Sequence, residues 1–224
     1  MLITDVRVAT ADLDAAALFY REVLELPVTI SDGVTTIAVG LTTITLVEIP
    51  GPRESNHFAI TIPSNQFAAA KKWLSARVEP ISWGDGETEL RLGEPWNSES
   101  VYFRGPDGII LELITRQHLA NPSAEPFTSA QLLCVSEVGL GTPSVPAAFA
   151  DVRRVFGMET FAGESPDFTT VGDQHGLLIL VTEGRPWFPR DDVFASTGSI
   201  AVSISGVSPG VVSSPAGWTV TGSQ

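Results

Sequence analysis

Carboxylates set among apolar side chains are the residues of this sequence with the clearest capacity for chemistry. Glu112 stands alone in IILELI, between Leu111 and Leu113, and Glu48 follows the apolar run ITLV. Burying a carboxylate without a partner is costly, so each needs a cation, a shared proton or a way out to solvent. Glu48 has such a way out, because IPGP follows and a strand end can turn the side chain into water. His57 opens HFAITIP, where an imidazole serves either as a hydrogen-bonded structural group or as a ligand. Asp5 and Arg7 lie two apart on one face of LITDVRVA, the spacing of an ordinary ion pair. A divalent cation would satisfy Glu48, Glu112 and His57 together. Other reactive types offer less. The single cysteine, Cys134, lies in LLCV with no base beside it, the setting of a buried thiol, and a lone cysteine excludes an internal disulfide. His175 sits in the turn GDQHG and His118 in a proline-containing linker. The run EGRPWFPRDD (183–192) carries Trp187, Phe188 and two arginines, and reads as a proline-stiffened surface loop, with a pocket cover as the alternative.

The elements that must position these residues repeat in order. Residues 2–9 alternate apolar and polar, as a half-buried strand does. Asp12 caps a helix from about Leu13 to Leu24, with Ala16, Phe19, Tyr20 and Val23 on one apolar stripe. VTI, TTIAVG and TTITLVEI supply strands, and GPRESN is a loop by composition. The order then restarts: HFAITIP is a strand, and Ser64 or Asn65 caps a helix carrying Phe67, Ala70, Trp73 and Leu74. Three more strand candidates follow, the last two joined by the Gly-Pro-Asp-Gly turn at 105–108. HLANPSAEPFTSA (118–130) is a linker. A third copy starts at QLLCVSEVGL, continues through a helix with Phe149, Val152 and Phe156 on one face, and closes with TTVGDQHGLLILV. A fourth begins at SIAVSISGV and ends at Gln224 without a convincing helix or closing strand pair. Each unit alone cannot bury its sheet face, so the repeats must pair. Ala16, Phe19, Tyr20, Val23, Phe58, Ile60, Ile62, Trp73 and Leu74 are the expected core.

The 224 residues suffice for one large domain or two ordinary ones, and 43% hydrophobic residues suffice for a packed core. No run approaches ~18 uninterrupted apolar residues, and the N-terminus has neither a basic leader nor an apolar stretch. A cytoplasmic location, with no membrane partner, is expected. The formal charge of −13 repels phosphate backbones, so no nucleic-acid partner is expected either. No basic cluster marks a glutathione or coenzyme A site, and no organic cofactor is indicated.

Several segments resemble the vicinal oxygen chelate superfamily, which includes glyoxalase I, bleomycin-resistance proteins and extradiol dioxygenases: DLDAAALFYREVLELPV (12–28), NHFAITIP (56–63), VYFRGPDGIILELI (101–114) and, more weakly, VPAAFADVRRVFGMETF (145–161). The resemblance implies an α+β fold of paired βαβββ modules forming cupped mixed sheets. It implies two tandem domains, 1–117 with two modules and 129–224 as a shortened, degenerate copy. Metal ligands in that superfamily come from the opening and closing strands of paired modules. Carried over, they fall on Asp5, Glu48, His57 and Glu112. Asp5 departs from the His or Gln expected there. In the second half the opening-strand equivalent is Glu137, the closing strand offers only Glu183, and Ser199 matches His57.

That ligand set, three carboxylates and one imidazole, suits Mn²⁺, Mg²⁺, Co²⁺ or Ni²⁺, and Zn²⁺ less comfortably. It implies a metal-dependent lyase or isomerase of glyoxalase type acting on a small oxygenated molecule, with Glu112 or Glu48 as the proton-transferring base. A metal-free binding protein of bleomycin-resistance type is the alternative, and a ring-cleaving dioxygenase ranks last because it calls for two histidines and one carboxylate. The expected partner is a small molecule, and the expected state a monomer or homodimer.

Overall fold

A computed structural model describes residues 1–31, 33–49 and 56–224; residues 51–55 of the GPRESN loop lie outside the described residues. The first module comprises β1 (Leu2–Thr10), α1 (Leu13–Leu18), β2 (Val28–Ser31), β3 (Val34–Val39) and β4 (Thr42–Glu48). The second comprises β5 (His57–Thr61), α2 (Phe67–Ser75), β6 (Leu90–Leu92), β7 (Ser98–Arg104) and β8 (Ile110–Arg116). The third runs β9 (Cys134–Thr142), α3 (Val145–Phe156), β10 (Phe168–Asp173) and β11 (Gly176–Thr182). The fourth has β12 (Ala201–Ser205), β13 (Gly210–Ser213) and β14 (Thr219–Ser223). Its closing pair β13–β14, not expected from the sequence, is present, and it has no helix among the described residues. No helix among the described residues is long and apolar enough to cross a membrane.

The sheets do not pair the modules in sequence. One seven-stranded sheet runs β13-β14-β12-β1-β4-β3-β2 and the other β10-β11-β9-β5-β8-β7-β6. The first module therefore shares a sheet with the fourth, and the second with the third. In both sheets the two opening strands meet antiparallel at the centre, β1 on β12 and β5 on β9. Each opening strand also lies parallel to its own closing strand. The expected cup of modules one and two does not form. Its predicted boundary falls between β8 and β9, which flank β5 in one sheet. A physical reason is visible in β9, every residue of which is buried: such a strand belongs at the centre of a sheet covered on both faces.

One apolar core runs through both sheets and beneath all three helices. The Thr42 hydroxyl stitches the sheets, donating to the Ile3 carbonyl at 2.7 Å and accepting from Val135 N–H at 3.0 Å. Asp12 caps α1 as expected, accepting from Ala15 N–H. The chain then widens into a π-helical stretch, Phe19–Val23. The wider turn shifts the phase of the stripe: Tyr20 is buried, whereas Phe19 and Val23 only pack against the core's edge. Trp73 is likewise half-buried, with Arg77 over its ring. The other expected core residues, Ala16, Phe58, Ile60, Ile62 and Leu74, are buried. α2 begins after Gln66, without the Ser64 or Asn65 side-chain cap expected. A second apolar cluster, including Ile179, Tyr102 and Trp187, covers the opposite face of the β5–β9 sheet.

Candidate metal centre

Strand register builds the site. On β5 the side chains of His57, Ala59 and Thr61 share the face turned away from the helices, since Phe58 and Ile60 enter the main core. Ala59 faces Glu112 of β8 on one side and Glu137 of β9 on the other. Its methyl group leaves the space between two carboxylates open, and His57, two residues earlier, reaches into it. The imidazole Nε2 lies 3.4 Å from Glu112 Oε2 and 3.8 Å from Glu137 Oε2. All three side chains are buried, and one ligand atom from each lies within 4.8 Å of the others. They are the only group of three or more ligand-type side chains so arranged among the described residues.

The surroundings fix their charges. Burial opposes charging His57, but the two carboxylates that face it outweigh this and hold its pKa up at about 9. Burial also pushes the Glu137 carboxyl up, and here the Arg116 guanidinium, followed by His57, outweighs it and holds the group below the usual range. Arg116, on β8 and fully buried, donates from Nη2 to Glu137 Oε1. Tyr102 faces Glu112 across β7–β8. Burial, and then the charges of Glu112 and Glu137, raise its phenol well above the usual value, so it stays protonated.

Above this floor opens a cavity of about 190 Å³, walled mainly by Leu90, Trp96, Phe168, Ile179, Trp187 and Phe188. Trp187 belongs to the run 183–192, which is a pocket wall and not the plain surface loop the sequence suggests. It is only 4% exposed, and its ring lies 5.5 Å from that of His57. It rests over Gly139, where an added Cβ would meet the indole at 2.5 Å. Glycine at 139 makes that approach possible. Among the described residues His57 Nδ1 has no hydrogen-bond partner, and the flanking rings of Trp187 and Tyr102 orient the imidazole.

Of the residues expected at the site, His57 and Glu112 come together; Asp5 and Glu48 do not join them. Both lie in the other sheet. Asp5 faces Ser203 and accepts from Thr45 Oγ1 at 3.3 Å. Burial raises its carboxyl against the opposing effects of Thr45 and Arg7. Glu48 is exposed at the end of β4, opposite Thr10. Register explains the error: Glu112 lies beside the residue two after His57, and its counterpart beside Arg7, two after Asp5, is Thr45. Glu48 is three residues further on. In the third module the same position, beside Gly139, is Ile179, so Glu183 is also out of register. Glu137, the opening-strand residue of that module, supplies the third group.

The set fits a metal ion. Donor atoms 3.4 and 3.8 Å apart match neighbouring ligands around an ion bound at ~2.0–2.4 Å, and Ile179 leaves the fourth side free of protein ligand. No family model matches the sequence, and no curated protein matches it. Solved structures do. The chain is similar to a candidate dioxygenase from Bacillus subtilis, with a TM-score of 0.63 and 17% identity over 99% of this chain and 85% of that one. It is also similar to glyoxalase I from Zea mays in a mutant form, with a TM-score of 0.59 and 14% identity over 99% and 91%. A second structure of that maize enzyme gives 0.55 and 16% over 90% and 74%. The chain has the vicinal oxygen chelate fold. In the terms of that fold, the centre uses the opening and closing strands of one module, β5 and β8, and the opening strand of its sheet partner, β9.

Proposed function

We propose that this vicinal oxygen chelate protein is a divalent-metal-dependent lyase or isomerase of glyoxalase type, acting on a small oxygenated molecule in the pocket. The observation that carries the reading is the convergence of one imidazole and two carboxylates, from three strands, at the floor of an aromatic cavity. His57, Glu112 and Glu137 would hold the ion, an oxygen-rich set suited to Mn²⁺, Mg²⁺, Co²⁺ or Ni²⁺. A bound ion supplies Lewis-acid polarisation of a substrate oxygen. Arg116 keeps Glu137 ionised and occupies one of its oxygens. Glu112 is the group placed to accept and return a proton, beside the protonated phenol of Tyr102, while the aromatic walls exclude water from the exchange. Glu48, exposed at the end of β4 in the other sheet, does not line the pocket. One imidazole with two carboxylates departs from the facial triad of two histidines and one carboxylate, so ring cleavage ranks behind.

One observation favours a second reading, a metal-free binding protein: His57 lies against both Glu112 and Glu137, and Arg116 pairs with Glu137, without an ion. Calorimetric titration of chelator-stripped protein with Mn²⁺ separates the two. The enzyme reading expects one ion per chain, lost in Glu137→Ala and Glu112→Ala and kept in Glu48→Ala. No uptake of Mn²⁺, Ni²⁺, Co²⁺ or Zn²⁺ by the wild-type protein would defeat it in favour of the binder.

A further inference from the structure

The cavity has a second end. Arg185 and Phe188 line both the inner cavity and a wider groove outside it, where Trp83 and Pro189 join them, so these two residues mark the mouth. Arg185 is the one lysine or arginine among the side chains that line the inner cavity. Its backbone is fixed just beyond β11: its N–H donates to the Thr182 carbonyl at 3.1 Å, and its carbonyl accepts from Ala195 N–H at 2.8 Å. The guanidinium lies 4.8 Å from the ring centroid of Phe168, another wall residue, and that aromatic face holds it in place. Among the described residues no guanidinium N–H of Arg185 donates a hydrogen bond. Its ion-pair partner, Asp167, is 63% exposed, lies 3.9 Å from Nε and has one oxygen taken by Ser165 Oγ at 2.6 Å. Such a pair is worth little in water.

A guanidinium fixed at a cavity mouth with its donors free suits a carboxylate, which it meets with two parallel hydrogen bonds. At the floor a carboxylate would instead face Glu112 and Glu137. Size limits the rest of the ligand. An apolar cavity of ~150 Å³ holds benzene, and this one, of about 190 Å³, holds a single ring with short substituents between its aromatic and aliphatic walls. We infer that Arg185 sets the specificity of the pocket: it takes the carboxylate of a substrate whose ring-sized apolar body fills the cavity and whose oxygen function reaches the floor. Seating that oxygen on an ion rests on the metal-dependent reading; the carboxylate subsite at the mouth does not.

The test uses the full chain, with 3-phenylpropionate as the probe and 3-phenylpropionamide as its uncharged counterpart, titrated calorimetrically at low ionic strength with and without Mn²⁺. The acid should bind at least about fivefold tighter than the amide in both conditions. Arg185→Gln should remove most of that preference while leaving amide binding within about twofold, and Arg185→Lys should keep part of it. Arg190→Gln, which alters an arginine that does not line the inner cavity, should leave the preference intact. Equal binding of acid and amide by the wild-type protein overturns the subsite, as does binding of neither. A preference that survives Arg185→Gln overturns it too; if that preference disappears without Mn²⁺, the carboxylate sits on the metal and the metal reading stands. If the protein takes up no Mn²⁺ and Arg185→Gln still removes the preference, the metal reading falls and the subsite stands.

Discussion

Replacing His57 by Gln in the metal-free protein should abolish one specific pH dependence of stability. The folded protein holds the His57 proton with a pKa of about 9, against 6.5 for an unperturbed histidine. Below pH 6.5 both folded and unfolded chains carry that proton, and the two carboxylates stabilise the fold in full. Between 6.5 and 9 the unfolded chain releases its proton while the folded one keeps it, so stability falls as pH rises. Above 9 the contribution is gone. At about 1.36 kcal/mol per pH unit the window is worth about 3 kcal/mol. Glu137, held below the usual carboxylate range, contributes at every pH above its unfolded value and is lost only on acidification, outside this window. Urea unfolding of chelator-treated wild-type and His57→Gln protein at half-unit steps from pH 6 to 10 isolates the difference, because other titrating groups are common to both. The wild-type advantage should shrink by about 3 kcal/mol across the range. A constant difference would refute the ion-paired imidazole.

Three further outcomes follow from the same geometry. Asp5→Asn should leave Mn²⁺ affinity unchanged within about threefold in calorimetry, whereas Glu137→Gln should weaken it by at least about a hundredfold; equal effects would mean that the site is misassigned. Gly139→Ala places a methyl group against Trp187 and should cost about 1–3 kcal/mol in urea unfolding, with a shift in tryptophan emission as the indole is displaced; wild-type stability and emission together would show that Trp187 does not rest there. Phe58→Ala, fully in the core, should cost about 3–5 kcal/mol, and Phe19→Ala, at its edge, clearly less; the reverse order would contradict the π-helical shift in phase.

The module order was legible because it is written locally: alternation marks the strands, Asp12 announces α1, and the apolar stripe of α3 runs through Phe149, Val152 and Phe156. The partnering of modules was not, because nothing within a strand names its neighbour. β5 could extend a sheet toward the first module or the third, and the choice depends on contacts made eighty residues away. That choice decided the site. His57 and Glu112 belong to one module, so their meeting is legible within it. Asp5 and Glu48 belong to the site only if sequential modules share a sheet and ITLVEI aligns with IILELI, whereas the strand register makes Thr45, not Glu48, the counterpart of Glu112. A signal for Glu137 was nonetheless present. In SEVGLG the glycines at 139 and 141 alternate with the core residues Val138 and Leu140, on the face that also carries Glu137. A strand that keeps two glycines on one face is being approached closely there, by the Trp187 indole at 139 and the Ser196 carbonyl at 141. A carboxylate in line with such a pair lies under a cover, and a covered carboxylate must have a partner. The lone acidic residue of β9 therefore carried the same physical demand as Glu112, and the two are answered together by His57 and Arg116.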